Sequence, residues 1–147
     1  MTMTTTPRWG LPLIEPGQAQ KELFHNESLL LIDAAVQAGV VAVSTEPPPP
    51  DPTAGDCWVI GPAPVGAWAG HGQKLAMWTA GGWRFLNPPE GMAVWDRATG
   101  CLWRHRSGMW LRGNTIPAAT GGTTIDEGAR QMLAAVIEVL RGHGLVA

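Results

Sequence analysis

Residues 77–89, MWTAGGWRFLNPP, place Trp78 and Trp83 on either side of the turn signal TAGG. The aromatic and apolar residues that flank this Gly-rich turn indicate a β-hairpin. If all four residues form the loop, the two indoles are directly opposed, a pairing that stabilises a hairpin by up to ~1 kcal/mol. A four-residue loop at HRSG would likewise place Trp103 opposite Trp110. The two Trp-flanked hairpins would then form a weak internal repeat. The stretch therefore predicts an antiparallel sheet built around tryptophan.

Gly-rich turns separate six short segments of strand composition between residues 56 and 113. These segments are DCWVIG, QKLAMWT, GWRFLN, MAVWD, CLWRH and MWLRG. We predict that they form one antiparallel β-meander. VVAVS (40–44) is a further candidate strand, and the stiff proline-rich connector TEPPPPDPTAGD separates it from the meander.

Two helices are predicted to flank the meander. The segment AQKELFHNESLLLIDAAVQAG predicts the first, over residues 18–38 with Gly39 as its stop. The segment TIDEGARQMLAAVIEVLRGHG predicts the second, over 124–142, because Thr124 and Glu127 have the spacing of a capping box. The apolar residues of the second helix form one stripe, which packs either on the chain's own sheet or on a neighbouring subunit.

We therefore predict an α+β fold in a single domain, since 147 residues suit one domain. Its parts in chain order are an extended arm (1–17), an N-terminal helix (18–38), a Trp-rich antiparallel β-meander (56–113) and a C-terminal amphipathic helix (124–142). Only 15% of the residues are charged, against 45% apolar. We expect copies of the chain or other partners to cover part of the surface.

The net charge of −2 is unevenly distributed along the chain. Residues 1–56 carry two basic and seven acidic side chains, whereas residues 57–113 carry six basic and two acidic ones. This mildly basic middle is a weak signature for nucleic acid, so we expect no nucleic-acid partner. No run approaches the ~20 apolar residues of a membrane span. The start, MTMTTTPRWG, lacks the basic and apolar regions of a signal peptide.

No set of residues in the sequence indicates a reaction. There is no G-x-S-x-G elbow and no P-loop, and the Trp-rich region contains only Glu90 and Asp96 as carboxylates for a glycosidase pair. Cys57 and Cys101 are interpreted as buried free thiols, because two cysteines and four scattered histidines offer no zinc spacing. We expect no catalytic residue, no metal and no cofactor.

The tryptophans have two interpretations. In the first, the indoles replace an aliphatic core in a small sheet; Trp58 fits this best, and at least one of Trp95 and Trp103 is expected to be buried. In the second, their flat faces bind a carbohydrate in a shallow cleft, with Trp68 exposed in the Gly-rich loop VGAWAGHG. The predicted saccharide-binding residues are Trp68, His71, Gln73, Trp78, Trp83 and Asn87.

The basic segment RHR (104–106), together with Arg97 and Arg112, has two interpretations as well. The guanidinium groups would suit an anionic sugar or a phosphate. Solvated arginines on the exposed face and turn of a sheet are the interpretation that we favour.

The two helices carry more apolar surface than one small sheet can cover. We therefore predict a homotrimer, with a dimer as the alternative, and place residues of both helices in the interface. The predicted interface residues are Leu23, Leu30, Ile32, Met132, Val136, Ile137 and Leu140.

The segment LPLIEPGQAQKELFHNESLLLIDAAVQ is the most specific motif in the chain. Further motifs follow it: GDCWVIG, GAWAGHGQKLAMW, GGWRFLNPPEGMAVWD and DEGARQMLAAVIEVLRGHGL. Together, from about Arg8 to Val146, they resemble a domain of unknown function common in alphaproteobacterial prophages. The same domain occurs in tail-fibre proteins of gene transfer agents.

The resemblance implies a non-enzymatic structural or receptor-binding component of a virion tail, assembled in the host cytoplasm beside other tail proteins. It brings no catalytic residues. Fibre proteins usually have long repetitive shafts, whereas this sequence contains the domain without one, so a tip, a collar and an adaptor all stay open. The alternative function is a carbohydrate-binding module for host envelope polysaccharide, and an envelope-degrading enzyme is less favoured.

Overall fold

The structure is a computed structural model that describes residues 4–15, 17, 21–48 and 52–147. In this part of the chain there are two helices and eight strands, which confirms the predicted α+β class. The helices are α1 (Lys21–Ala35) and α2 (Glu127–Gly142). The strands are β1 (Gly39–Val40), β2 (Ala42–Ser44), β3 (Cys57–Ile60), β4 (Leu75–Thr79), β5 (Gly82–Leu86), β6 (Ala93–Asp96), β7 (Cys101–Arg106) and β8 (Met109–Arg112). All six strands of the predicted meander are present.

The strands form two four-stranded sheets instead of the single meander that we predicted. The first sheet has the order β2-β3-β4-β5 and the second has the order β1-β6-β7-β8. Each sheet is a three-stranded antiparallel meander extended by one parallel strand. The predicted strand at 40–44 supplies both parallel strands, because the chain passes from the second sheet to the first at Val41.

The two hairpins confirm one predicted register and correct the other. Trp78 is paired with Trp83, as predicted. Trp103 is paired with Arg112, and Trp110 is paired with His105, so the predicted Trp103–Trp110 pair is wrong. The reason is a tighter loop at residues 107–108, where both residues have positive φ. Such a two-residue turn matches the natural twist of the strands better than a four-residue loop.

The main hydrophobic core lies between the two sheets. Its buried residues come from both sheets, from α1 and from the segment after α1: Ala34, Ala38, Val40, Cys57, Val59, Leu75, Met77, Val94 and Trp110. Every residue of β3 is buried, so the first sheet is covered on both faces. Trp103 is half-buried against this core and Trp95 is exposed. We expected at least one of these two to be buried, and Trp103 meets this expectation only in part.

A polar anchor joins the N-terminal arm to α1. Residues 4–13 fold back on themselves through a bridge between Thr5 and Pro12, so this part of the arm is a small hairpin and not extended. The fully buried Asp33 carboxylate accepts hydrogen bonds from Thr6 Oγ1 and from the backbone N–H groups of Arg8 and Trp9, at 2.8, 2.9 and 2.7 Å. These charge-assisted bonds replace the water that the carboxylate loses on burial.

One boundary of each helix differs from its prediction, whereas α2 ends at Gly142 as predicted. α1 stops at Ala35, before the predicted stop at Gly39, and Gln37 has a positive φ. Residues 18–20 of the predicted helix lie outside the described residues. α2 is capped by Asp126, whose side chain accepts from the N–H of Ala129, and not by Thr124. Both Asp and Thr can cap a helix, so sequence spacing alone does not choose between them.

The segment after α2 docks on the second sheet. The carbonyl of Gly144 accepts a 2.9 Å hydrogen bond from the N–H of Leu102 in β7. Gly113, at the end of β8, lies so close to Leu145 that a Cβ there would be 2.0 Å from the Leu145 carbonyl oxygen. The close approach of these backbones fixes the C-terminal end of α2 beside the sheet.

Candidate interaction surfaces

Four tryptophans form a second core on the far side of the first sheet. We call Trp58, Trp68, Trp78 and Trp83 the indole cluster. Trp83 contacts the other three members, with ring centroids 5.5 Å from Trp58, 5.3 Å from Trp68 and 5.0 Å from Trp78. The rings meet edge to face, the arrangement that aromatic quadrupoles favour. The assignment of Trp58 to the core is confirmed, since its exposed fraction is 5%.

Trp68 is not an exposed platform. It lies at the end of a single 3-10 turn, Gly66–Trp68, and its exposed fraction is 0%. The loop VGAWAGHG folds over the first sheet and covers the face that the main core leaves open. A fully buried indole cannot stack on a sugar, so the predicted exposure of Trp68 is wrong. A sequence signal was available: CWVI is apolar on both faces, and such a strand needs cover on both sides.

Of the other predicted saccharide residues, all but Asn87 have contacts within the fold. His71 stacks on Phe85, with ring centroids 3.7 Å apart and planes within 8°. Gln73 joins the two sheets, because its side-chain oxygen accepts from the N–H of Trp110 and its carbonyl accepts from the indole N–H of Trp110. Asn87 is exposed just after β5. Trp78 and Trp83 are half-buried within the indole cluster.

Helix α2 presents an apolar stripe that its own chain leaves uncovered. None of its residues is buried. The stripe consists of Ala129, Met132, Leu133, Val136, Ile137, Val139 and Leu140. Met132 is 70% exposed and Val139 is 60% exposed, although both are large and apolar. The sequence allowed this stripe to pack either on the chain's own sheet or on a neighbouring subunit. In the structure it does not pack on the chain's own sheet.

The predicted interface residues of α1 divide into two groups. Leu23 and Ile32 are exposed, with exposed fractions of 64% and 47%. Leu30 instead packs against the main core of its own chain. The assignment of Leu30 to a subunit interface is corrected on this ground, because its side chain is already occupied within the fold.

The carboxylates and thiols that could serve a catalytic site are instead buried or hydrogen-bonded within the fold. Asp96 is buried and accepts from Ala98 N–H, Thr99 Oγ1 and Trp103 Nε1. Glu90 accepts from the N–H of Ser107. Cys57 and Cys101 are free and buried, as predicted. Burial raises the pKa of the Cys57 thiol to about 11, so its nucleophilic thiolate is scarce at neutral pH.

Two further properties concern metals and membranes. Within the described residues, no group of three His, Cys, Asp or Glu side chains is placed to hold a metal ion. In the same part of the chain, neither helix has the length and hydropathy needed to cross a bilayer.

Comparison with known proteins gives one match. The family model described as "Protein of unknown function (DUF2793)" matches residues 25–111, which is more than half of the chain. The matched region runs from within α1 to within β8, so it contains both sheets and the indole cluster. No curated protein and no solved structure matches the chain.

Proposed function

We propose that this chain, which belongs to the DUF2793 family of proteins of unknown function, is a non-enzymatic structural or receptor-binding component of a phage-like tail fibre. In this proposal it works as a homotrimer beside other virion tail proteins. One observation carries it: the apolar stripe of α2 is exposed along a helix that contains no buried residue. The resemblance of the motifs to prophage and gene-transfer-agent domains supplies the context of a tail.

The stripe supports association on energetic grounds. An isolated helix of 16 residues is marginal in water, so α2 needs tertiary or quaternary contacts to be well populated. Burying one large apolar side chain contributes roughly 1.5–3 kcal/mol. Four exposed positions, Met132, Leu133, Val136 and Val139, would together contribute roughly 6–12 kcal/mol on burial, which acts against the entropy that association loses.

The width of the stripe favours three copies over two. Met132, Val136 and Val139 follow the alternating spacing of four and three residues that a coiled-coil seam uses. Leu133, Ile137 and Leu140 form an adjacent row with the same spacing. A two-helix contact buries one narrow seam, whereas a helix in a trimer contacts two neighbours and can bury both rows.

The assembly is tested by light scattering coupled to size exclusion. The wild-type chain should elute as a trimer at micromolar concentration, and the double variant Val136→Glu, Val139→Glu should be a monomer. Gln131→Glu, which adds a charge on the opposite face of α2, is the control and should stay trimeric. Near-UV circular dichroism should be unchanged in all three, because the sheets carry most of the tryptophans. A wild-type monomer would refute the trimer.

The tail role is tested in a strain that produces particles containing the chain. Mass spectrometry of purified particles and immunogold labelling should locate the chain at the tail. The double α2 variant should be absent from particles or should reduce their delivery to recipient cells. Particles that lack the wild-type chain altogether would contradict the proposal.

A further inference from the structure

The outer face of the second sheet contains a depression with a basic rim. It has a volume of about 370 Å³ and is lined by Leu102, Arg104, Arg106, Leu111, Arg112 and Leu145, beside Gly113. Arg112 is paired with Trp103, so its side chain leaves the sheet on the opposite side. We call the outer set, Leu102, Arg104, Arg106, Leu111 and Leu145, the arginine face. Arg104 and Arg106 are two residues apart on β7, so they project from the same side of the sheet about 7 Å from each other. Both are exposed, and Arg104 is paired with Leu111 across the strands.

Among the described residues, no ion pair compensates the charge of the arginine face. The described residues contain three ion pairs, and none of them includes Arg104, Arg106 or Arg112. Glu90 lies nearby in the chain fold, but its carboxylate is held by the N–H of Ser107. The two like charges of Arg104 and Arg106 beside the depression repel each other, and an anion placed between them relieves this repulsion.

The depression is held in shape by the fold. Its wall at Leu145 is fixed because the neighbouring Gly144 carbonyl accepts from Leu102 N–H, and because Gly113 leaves room for the Leu145 backbone. A site that is fixed in advance loses less entropy when it binds a ligand.

We propose that the arginine face binds an acidic saccharide. The leucines offer an apolar floor for the C–H face of a sugar ring, and the guanidinium groups at the rim donate paired hydrogen bonds to a ring carboxylate. A depression of this volume is at the lower end of small-ligand sites, which suits one or two sugar units. Nucleic acid fits less well, because two arginines do not form a basic stripe and the whole chain has a net charge of −2.

This inference goes beyond the proposed assembly, and it rests on a different surface from the α2 stripe. If the chain is a tail component, the arginine face is the part that contacts host envelope polysaccharide. In a trimer, three such sites on one surface raise the apparent affinity without any new contact. Binding and oligomeric state are measured separately, so the failure of one is distinguishable from the failure of the other.

The experiment uses oligogalacturonate as the probe and isothermal titration calorimetry as the measurement. The wild-type chain should bind it, and raising the salt concentration from about 20 to about 200 mM should weaken binding. The double variant Arg104→Gln, Arg106→Gln should weaken binding by at least about tenfold, since each lost charge-assisted bond contributes more than about 1.4 kcal/mol. The control Lys21→Gln, Arg141→Gln removes the same two charges elsewhere and should bind like the wild type.

Three outcomes would overturn the saccharide site. The first is equal affinity of the wild type and the Arg104, Arg106 double variant for oligogalacturonate. The second is equal binding of neutral dextran, which would mean that the arginines are not used. The third is equal or tighter binding of inorganic phosphate or duplex DNA, which would mark a general anion surface. Light scattering on the same samples reports whether the trimer is intact in each variant.

Discussion

The backbone N–H of Arg8 donates a 2.9 Å hydrogen bond to the Asp33 carboxylate, while the Arg8 guanidinium donates to carbonyls at the end of the helix that carries Asp33. These carbonyls have no partner within the helix, so Arg8 caps its C-terminal end. The two residues thus close a reciprocal contact between the N-terminal hairpin and α1.

Replacing Asp33 with Ala should lower the free energy of unfolding by about 3 kcal/mol, because it leaves three donors without an acceptor. The donors are Thr6 Oγ1 and the N–H groups of Arg8 and Trp9. Urea denaturation measures the loss. Asp126→Ala, which removes an exposed carboxylate that caps α2, is the comparison and should cost about 1 kcal/mol. Equal losses of unfolding free energy in the two variants would contradict the role of Asp33 as the anchor between the N-terminal hairpin and α1.

Trp68→Ala should destabilise the protein by about 3–5 kcal/mol, the usual range for emptying a buried aromatic site. Trp68→Phe should be milder, because the indole N–H of Trp68 has no hydrogen-bond partner in the described part of the chain. Trp9→Ala, at a site that is 49% exposed, is the control and should have the smallest effect. Thermal denaturation followed by tryptophan fluorescence ranks the three. A Trp68→Ala protein as stable as the wild type would contradict the core role.

Cys57 should make stability depend on pH in the alkaline range. Burial raises the pKa of its thiol from 9.0 to about 11, so the folded chain keeps the proton that the unfolded chain releases. Its contribution is therefore complete below pH 9 and is lost as the pH rises towards 11. The loss should be on the order of 2–3 kcal/mol.

The measurement for Cys57 is the difference in unfolding free energy between the wild type and Cys57→Ala at each pH. This difference removes the titration of other groups that both proteins share. The wild type should lose stability more steeply than Cys57→Ala between pH 9 and 11. If the unfolding free energies of the two proteins change in parallel with pH, the Cys57 thiol is not the source of the alkaline loss of stability.

Gly113→Ala should detach the C-terminal segment from the second sheet, since the new Cβ would lie 2.0 Å from the Leu145 carbonyl oxygen. The amide of Leu102, which donates to Gly144, should then exchange its hydrogen faster. Gly142→Ala is the control, because a Cβ there meets no atom within 4 Å. Unchanged exchange at Leu102 in Gly113→Ala would mean that the contact is not needed to hold the segment.

The sequence was sufficient to predict elements that depend on local patterns. Six strands, two helices and the Trp78–Trp83 pair follow from turn residues and hydrophobic periodicity. The division into two sheets was not predictable in this way, because Val41 differs in no local property from the valines beside it. The chain changes sheets there because Gly39–Val40 pair with β6 of the second meander, whereas Ala42–Ser44 pair with β3 of the first, and these contacts are not local in sequence.

The candidate surfaces were predicted less well, for a physical reason. Trp68 stands in a loop without periodicity, and only the tertiary fold brings the loop over the first sheet. The α2 stripe could be predicted because helical periodicity is a local property of the sequence. Its exposure could not be predicted, because it depends on where the helix lies in the fold. Arg104 and Arg106 share one side of β7, Leu111 is paired with Arg104 across the strands, and the docked Leu145 then completes the depression.

The shared segment at 39–44 has a consequence for the folding reaction. Ala42 pairs with Trp58, which is near in the chain, whereas Gly39 pairs with Trp95, which is much farther away. Closing the longer loop loses more entropy, so the first sheet can form early and the second must wait for the later contact. Because the two parallel strands belong to one short segment, separating either strand from its sheet also disturbs the other sheet. The two similar halves should therefore melt in one cooperative transition with a slow refolding phase, and not as two independent units.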